Sequence, residues 1–110
     1  MAETTIDPST FKALQDAAGV EFVAELVDTF LEEAPRMMAE LESALATRDA
    51  EAFRRAAHSL KSNSYTFGAV ALGARAKELE LGGFEAAAKA PELRQEFERV
   101  ATALRGLRDA

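Results

Sequence analysis

The chain has 110 residues, 48% of them apolar and 29% charged, and 19 acidic against 13 basic side chains leave a formal charge of −6. That length suits one domain, residues 1–110, with a single core, and the negative balance argues against a nucleic-acid backbone as a general partner. There is no cysteine, so disulfides, thiolate metal sites and thiol catalysis are excluded together.

The start, MAETTIDPST, lacks the basic and apolar regions of a signal peptide, and no apolar run reaches the length of a membrane span. A soluble, cytoplasmic protein without membrane contact is expected, with residues 1–6 as a disordered lead-in. Apolar residues then recur at spacings of three and four, which predicts helices throughout and no strand.

A first short helix is expected from Pro8 to about Ala18, with Asp7 as N-cap, Pro8 in the first helical position, Gly19 as terminator and Phe11 and Leu14 facing inward. The second runs from about Glu21 to Thr47 on a stripe of Val23, Leu26, Val27, Phe30, Leu31, Ala34, Met38, Leu41 and Leu45. Pro35 interrupts this stripe without shifting its phase, so a kink is expected rather than a break, with two separate helices as the other reading. Asp49 caps a third helix that reaches about Phe67, and Gly68 stands at its end or at a close backbone approach. A fourth covers roughly Ala69 to Leu81 with Leu72, Ala76 and Leu79 inward, and Gly82-Gly83 ends it. The alanine-rich stretch from Ala86 to Ala90 reads as a loop or helical extension. Pro91 opens the last helix, whose stripe is Leu93, Phe97, Val100, Leu104 and Leu107. Short connections between amphipathic helices favour antiparallel neighbours, so the expected fold is all-α, an up-down-up-down four-helix bundle with an additional short N-terminal helix.

His58 is the single histidine of the chain. At about 100° per residue, Phe53, Ala56, Ala57, Leu60, Ser64 and Phe67 share one arc of the third helix, the buried one, and His58 lies opposite. A core histidine is thereby excluded by phase. Glu51, Arg54, Arg55, Lys61, Ser62 and Tyr65 fall within about 60° of its direction. A solvated polar face would account for that set, but Arg54, Arg55 and Lys61 form a basic surround on an acidic protein, which suits an imidazole that holds a phosphoryl group. Tyr65, large, amphipathic and outward, fits a docking surface better than bare solvent.

The next helix adds a partner by simple length. The climb from His58 to Gly68 is about 15 Å and the antiparallel descent from Gly68 to Glu80 about 18 Å, which returns Glu80 to the level of the ring, with Lys77 one turn away. A carboxylate there can accept a hydrogen bond from Nδ1 and leave Nε2 as the nucleophile. An ordinary surface glutamate satisfies the same spacing.

These residues resemble the histidine-containing phosphotransfer (HPt) domain of two-component phosphorelays, whose motif reads approximately H-x-L-K-G-x-S followed by G-A. His58, Leu60, Lys61, Ser64, Gly68 and Ala69 match it in order and spacing, and FLEEAP at Phe30 to Pro35 and the Leu79-Glu80 pair are similar as well. The resemblance implies that His58 is the phosphoacceptor, Lys61 the cation that stabilises the phosphoryl oxygens, and Glu80 the polar partner of the ring. It implies a monomeric phosphocarrier without kinase activity of its own, whose partners are a response-regulator receiver domain and a hybrid sensor histidine kinase. No cofactor is expected on the chain, and Mg²⁺ comes with the receiver. Arg54, Arg55, Ser62, Tyr65 and Lys77 are the candidate docking residues. Ser62 departs from the motif, which has glycine there.

Independent features agree. No G-x-x-x-x-G-K-[ST] nucleotide loop is present, and one histidine without cysteines or clustered carboxylates makes no metal site. The rival readings are a non-phosphorylated helical adaptor using the same face, and a hydrolase with His58 as general base, which lacks a nucleophile and a cleft.

Overall fold

The computed structural model describes residues 5–109, and among these every regular element is helical: α1 (Pro8–Ala18), α2 (Val20–Thr47), α3 (Ala50–Thr66), α4 (Val70–Gly82), a 3-10 segment (Gly83–Lys89) and α5 (Ala90–Asp109). The caps follow from local chemistry. Asp7 accepts from the Thr10 backbone N–H at 3.2 Å and from the Thr10 hydroxyl at 2.5 Å, and Asp49 accepts from the Ala52 N–H at 3.1 Å. Each satisfies donors that the first helical turn leaves unpaired.

Pro35 lies inside an uninterrupted α2. It is exposed there, and its missing N–H costs the helix the one bond that the Leu31 carbonyl would accept. The helix ends at Arg48, a non-glycine residue with φ of 58°, whose guanidinium stands 5.4 Å from the centre of the Phe84 ring.

α2 packs on α3, α3 on α4, α4 on α5 and α5 back on α2, with α1 against α2. The core inside this ring is built from the expected stripes: Val23, Val27, Phe30, Ala34, Met38 and Leu41 from α2, Phe53, Ala56, Ala57 and Leu60 from α3, Leu72, Ala76 and Leu79 from α4, and Leu93, Phe97, Val100 and Leu104 from α5. Leu14, Leu26, Leu31 and Leu45 are half-buried at its margin. Phe30 is the aromatic hinge of the core, with ring centres 5.4 Å from Phe67 and 6.1 Å from Phe97.

Two expectations are corrected, at Ile6 and at Leu107. Ile6 is buried at 5% exposure, so the ordered chain begins before α1. It precedes the Asp7 cap, and Phe11 stands four helical positions in, the two places at which a hydrophobic staple closes a helix entrance. Residues 1–4 of the expected lead-in lie outside the described residues. The glycine pair at 82–83 ends α4 as expected, and the stretch after it takes the helical-extension reading, a 3-10 helix whose Phe84 packs 5.5 Å from Phe53. Leu107 has the inward phase but lies in the last turn of α5, beyond the end of the buried stripe at Leu104, and is exposed. Glu96, in contrast, is 6% exposed, and its Oε1 accepts from Arg99 at 2.7 Å and 3.2 Å one turn on.

The connection between α3 and α4 is a three-residue turn, Phe67 to Ala69. Ala69 N–H donates to the Ser64 carbonyl at 2.9 Å and Gly68 N–H to the Tyr65 carbonyl at 3.1 Å, the paired bonds of a Schellman motif. Gly68 takes the left-handed position with φ of +83°. A methyl group on it would stand 3.0 Å from Thr10 Cβ and 3.1 Å from the Asp7 carbonyl oxygen, while its own carbonyl accepts from Asp7 N–H at 2.9 Å. Gly68→Ala is therefore expected to destabilise the fold by about 2 kcal/mol or more, through left-handed strain and the collision with α1 together. Denaturant unfolding of the two proteins measures this, and an unchanged midpoint would refute it.

Candidate functional site

The outer face of α3 carries the chemistry because its inner face is spent on the core. Leu60 and Ser64 are fully buried, and the Ser64 hydroxyl donates to the Leu60 carbonyl at 2.6 Å. That bond satisfies a polar side chain that α3 turns into an apolar interface. Opposite them the His58 side chain is 55% exposed.

Glu80 meets the ring as the helical rise requires. His58 Nδ1 lies 2.8 Å from Glu80 Oε2, and Lys61 Nζ lies 2.7 Å from Glu80 Oε1, so one carboxylate holds both residues. Its side chain is only 12% exposed, and Oε1 is buried with the Lys61 ammonium against it as an ion-pair contact rather than a well-aligned hydrogen bond. Lys61 lowers the Glu80 pKa from the usual carboxylate value, with the His58 contact adding to it and partial burial opposing. Glu80 is thus ionised near neutral pH and can only accept. In neutral His58 the proton must then sit on Nδ1, leaving the Nε2 lone pair unprotonated.

The remaining candidates divide. Arg54, Arg55, Ser62 and Lys77 are exposed, and among the described residues none forms a hydrogen bond or ion pair with His58, Lys61 or Glu80. Arg55 leans towards α2, lining a shallow groove with Glu33, Arg36, Glu40 and Ser59. The basic surround is therefore looser than its angular spacing implies. Tyr65 is half-exposed, and its ring rests against Gly73 of α4 instead of standing free. Sequence reasoning missed Gly73, although a glycine inside a helix is itself a signal of close approach. Lys61, which the resemblance implies as the cation for a phosphoryl group, is paired with Glu80. Gly68 and Ala69 build the turn that sets the level of α4. Among the described residues no three His, Asp or Glu side chains gather as a metal site requires, and no helix is long and apolar enough to cross a membrane.

Comparison with known proteins gives two matches of one kind. The family model "Hpt domain" matches residues 25–108. The chain is also similar to the crystal structure of histidine-containing phosphotransfer protein B from Pseudomonas aeruginosa PAO1, with a TM-score of 0.85 and 31% identity over 98% of this chain and 97% of that one. No curated protein matches at the level of sequence.

The carboxylate provides a test of the geometry. With its pKa depressed, Glu80 contributes stability that is complete above the unfolded carboxylate value of 4.5 and is lost as pH falls through the depressed folded value. A carbon-detected NMR titration should find the Glu80 midpoint below the ordinary glutamate value, and Lys61→Ala should move it up. A Glu80 midpoint indifferent to Lys61 would contradict the ion pair.

Proposed function

Because the chain belongs to the Hpt domain family, whose role is histidine phosphotransfer in phosphorelays, we propose that it carries a phosphoryl group on His58 Nε2 and exchanges it with an aspartate of a response-regulator receiver domain. The observation that carries this is the hydrogen bond from Nδ1 to Glu80 on a ring that is more than half exposed.

The step is a displacement at phosphorus. The Nε2 lone pair attacks the phosphorus of the receiver's aspartyl phosphate, the N–P bond forms as the acyl P–O bond breaks, and the aspartate carboxylate leaves with the electron pair. The ring, still protonated at Nδ1, becomes cationic, and the Glu80 carboxylate at 2.8 Å offsets that charge. Lys61 reaches the phosphoryl oxygens by leaving or sharing Glu80, so the resting ion pair keeps the ammonium close to where charge arrives. The reverse reaction uses the same contacts. Mg²⁺ at the receiver's aspartate belongs to that partner and would neutralise phosphoryl charge there.

The wider reading goes with this one: a cytoplasmic, monomeric carrier, not a kinase, receiving its phosphoryl group within a relay that includes a hybrid sensor kinase. The packing of each helix on the next, with short connections, supports an up-down-up-down four-helix bundle with α1 as an addition. The exposed Arg54, Arg55, Ser62 and Lys77 then border the docking face.

His58→Gln should abolish labelling by a phosphorylated receiver while changing stability by less than about 0.5 kcal/mol, because the ring is exposed. The wild-type label should be acid-labile and alkali-stable, as a nitrogen–phosphorus bond is. Receiver binding without label on His58 would leave an adaptor in its place.

Ser62 lies one turn past His58 on the same face and is exposed. A phenylalanine there would hold the reacting centres apart, and about 1 Å of added separation can cost on the order of 100-fold in rate. Ser62→Phe should therefore fold and fail to transfer, whereas Ser62→Gly should retain transfer. Fast transfer by folded Ser62→Phe would mean that the partner does not approach over this turn.

A further inference from the structure

Glycine inside a helix weakens it, and Gly73 sits in the first half of α4, buried and without the positive φ that would require glycine. Space accounts for it instead. A methyl group at Gly73 would stand 2.7 Å from Tyr65 Cε1, 2.8 Å from Cζ and 2.9 Å from Cδ1. Such contacts are too short to exist, so any side chain at position 73 pushes the ring off α4, and because Tyr65 is 41% exposed the ring has somewhere to go.

The contact lies in the same cross-helix register as the reacting residues. Seven residues separate His58 from Tyr65 on α3, and seven separate Gly73 from Glu80 on the antiparallel α4. Tyr65 therefore occupies the seam about 10 Å along from His58 and within about 20° of its direction. A partner that covers about 800 Å² has a footprint of roughly 16 Å radius, so one centred on His58 includes the Tyr65 ring. Buried on one side by α4 and open on the other, the ring is a pre-ordered aromatic contact, the type of residue in which binding energy concentrates.

Resting on the phosphotransfer reading above, we infer that Gly73 is a positioning residue for docking: its missing side chain lets the Tyr65 ring lie against α4, at the height where a receiver domain seated over His58 meets it. The receiver is the occupant because the ring is continuous with the face that must contact that domain for transfer. Gly73 touches no reacting atom and acts through Tyr65 alone.

The experiment compares wild type, Gly73→Ala, Tyr65→Ala and the double variant. Each is first labelled with phosphoramidate, which needs no docking, and then discharged into rising concentrations of the receiver domain that accepts fastest from a panel. Labelling should be equal in all four. The half-saturating receiver concentration should rise about 10-fold in Gly73→Ala with the limiting rate within about 2-fold, since Tyr65 is remote from phosphorus. In the Tyr65→Ala background Gly73→Ala should have no further effect. Thermal unfolding should show Gly73→Ala at least as stable as wild type, which separates positioning from loss of fold. Unchanged half-saturation in Gly73→Ala, or a penalty that persists without Tyr65, would overturn the inference. Failure of phosphoramidate to label wild-type His58 would strike the phosphotransfer reading instead, and titration of the unphosphorylated receiver against the same four proteins then decides the docking role by affinity.

Discussion

The front face of this molecule depends on one constraint, the register between α3 and α4. It is set by a turn with almost no freedom, in which two reverse backbone bonds close α3, Gly68 occupies a left-handed conformation and its carbonyl is held by Asp7. An added or lost residue in that turn would rotate and slide α4 by about 100° and 1.5 Å. Glu80 would then no longer meet His58, and Gly73 would no longer meet Tyr65. The docking of α1 on the turn thus bears on the site although α1 contributes no side chain to it. A motif glycine more than 10 Å along the helix from the histidine acts through geometry rather than chemistry.

Within that register, Glu80 joins two roles that a sequence keeps separate. Its Oε2 fixes the tautomer of His58 and its Oε1 holds Lys61. The contact to His58 is worth little as stability, since the ring is more than half exposed and water competes for it, whereas the pair with Lys61 is better shielded. Their value lies in arrangement. A ring that could turn freely would present either nitrogen, whereas a ring tied at Nδ1 presents one. The ammonium of Lys61, drawn against the carboxylate, is kept close to the ring without being spent on a deep, permanent ion pair.

What the sequence could reveal followed what is regular about helices. The phase of His58 was legible because α3 has an unbroken stripe from Phe53 to Phe67, and the level of Glu80 because rise per residue is constant. Contacts that turn on side-chain reach were not legible. Spacing places Lys61 beside His58 but cannot say that its ammonium bends to Glu80. It places Tyr65 outward but cannot say that the ring leans on an adjacent helix, because that depends on an interhelical distance set by residues elsewhere. Ile6 was missed for a different reason: one apolar residue before a cap reads as a tail until Phe11, four helical positions in, is seen as its counterpart. The glycine pair marked the end of α4, but the stretch after it stayed open between loop and helical extension, because the 3-10 helix there goes with Phe84 packing against Phe53 and under Arg48, contacts that no spacing reveals.

The exposure that makes His58 accessible also limits what this chain can do with it alone. A half-exposed ring on the outer face of α3 excludes no water, so this chain alone does not supply the enclosed site in which fixed charges act most strongly. Under the proposed function Lys61 reaches the phosphoryl oxygens from this face, and the rest of the enclosure comes with the partner. Transfer is then completed only when a second surface closes over the ring. A carrier needs this combination, because a site competent by itself would lose its phosphoryl group to hydrolysis before the next partner arrived. Specificity must then reside in how the partner seats, and the residues that decide it are those that shape the rim around His58 rather than those that touch phosphorus.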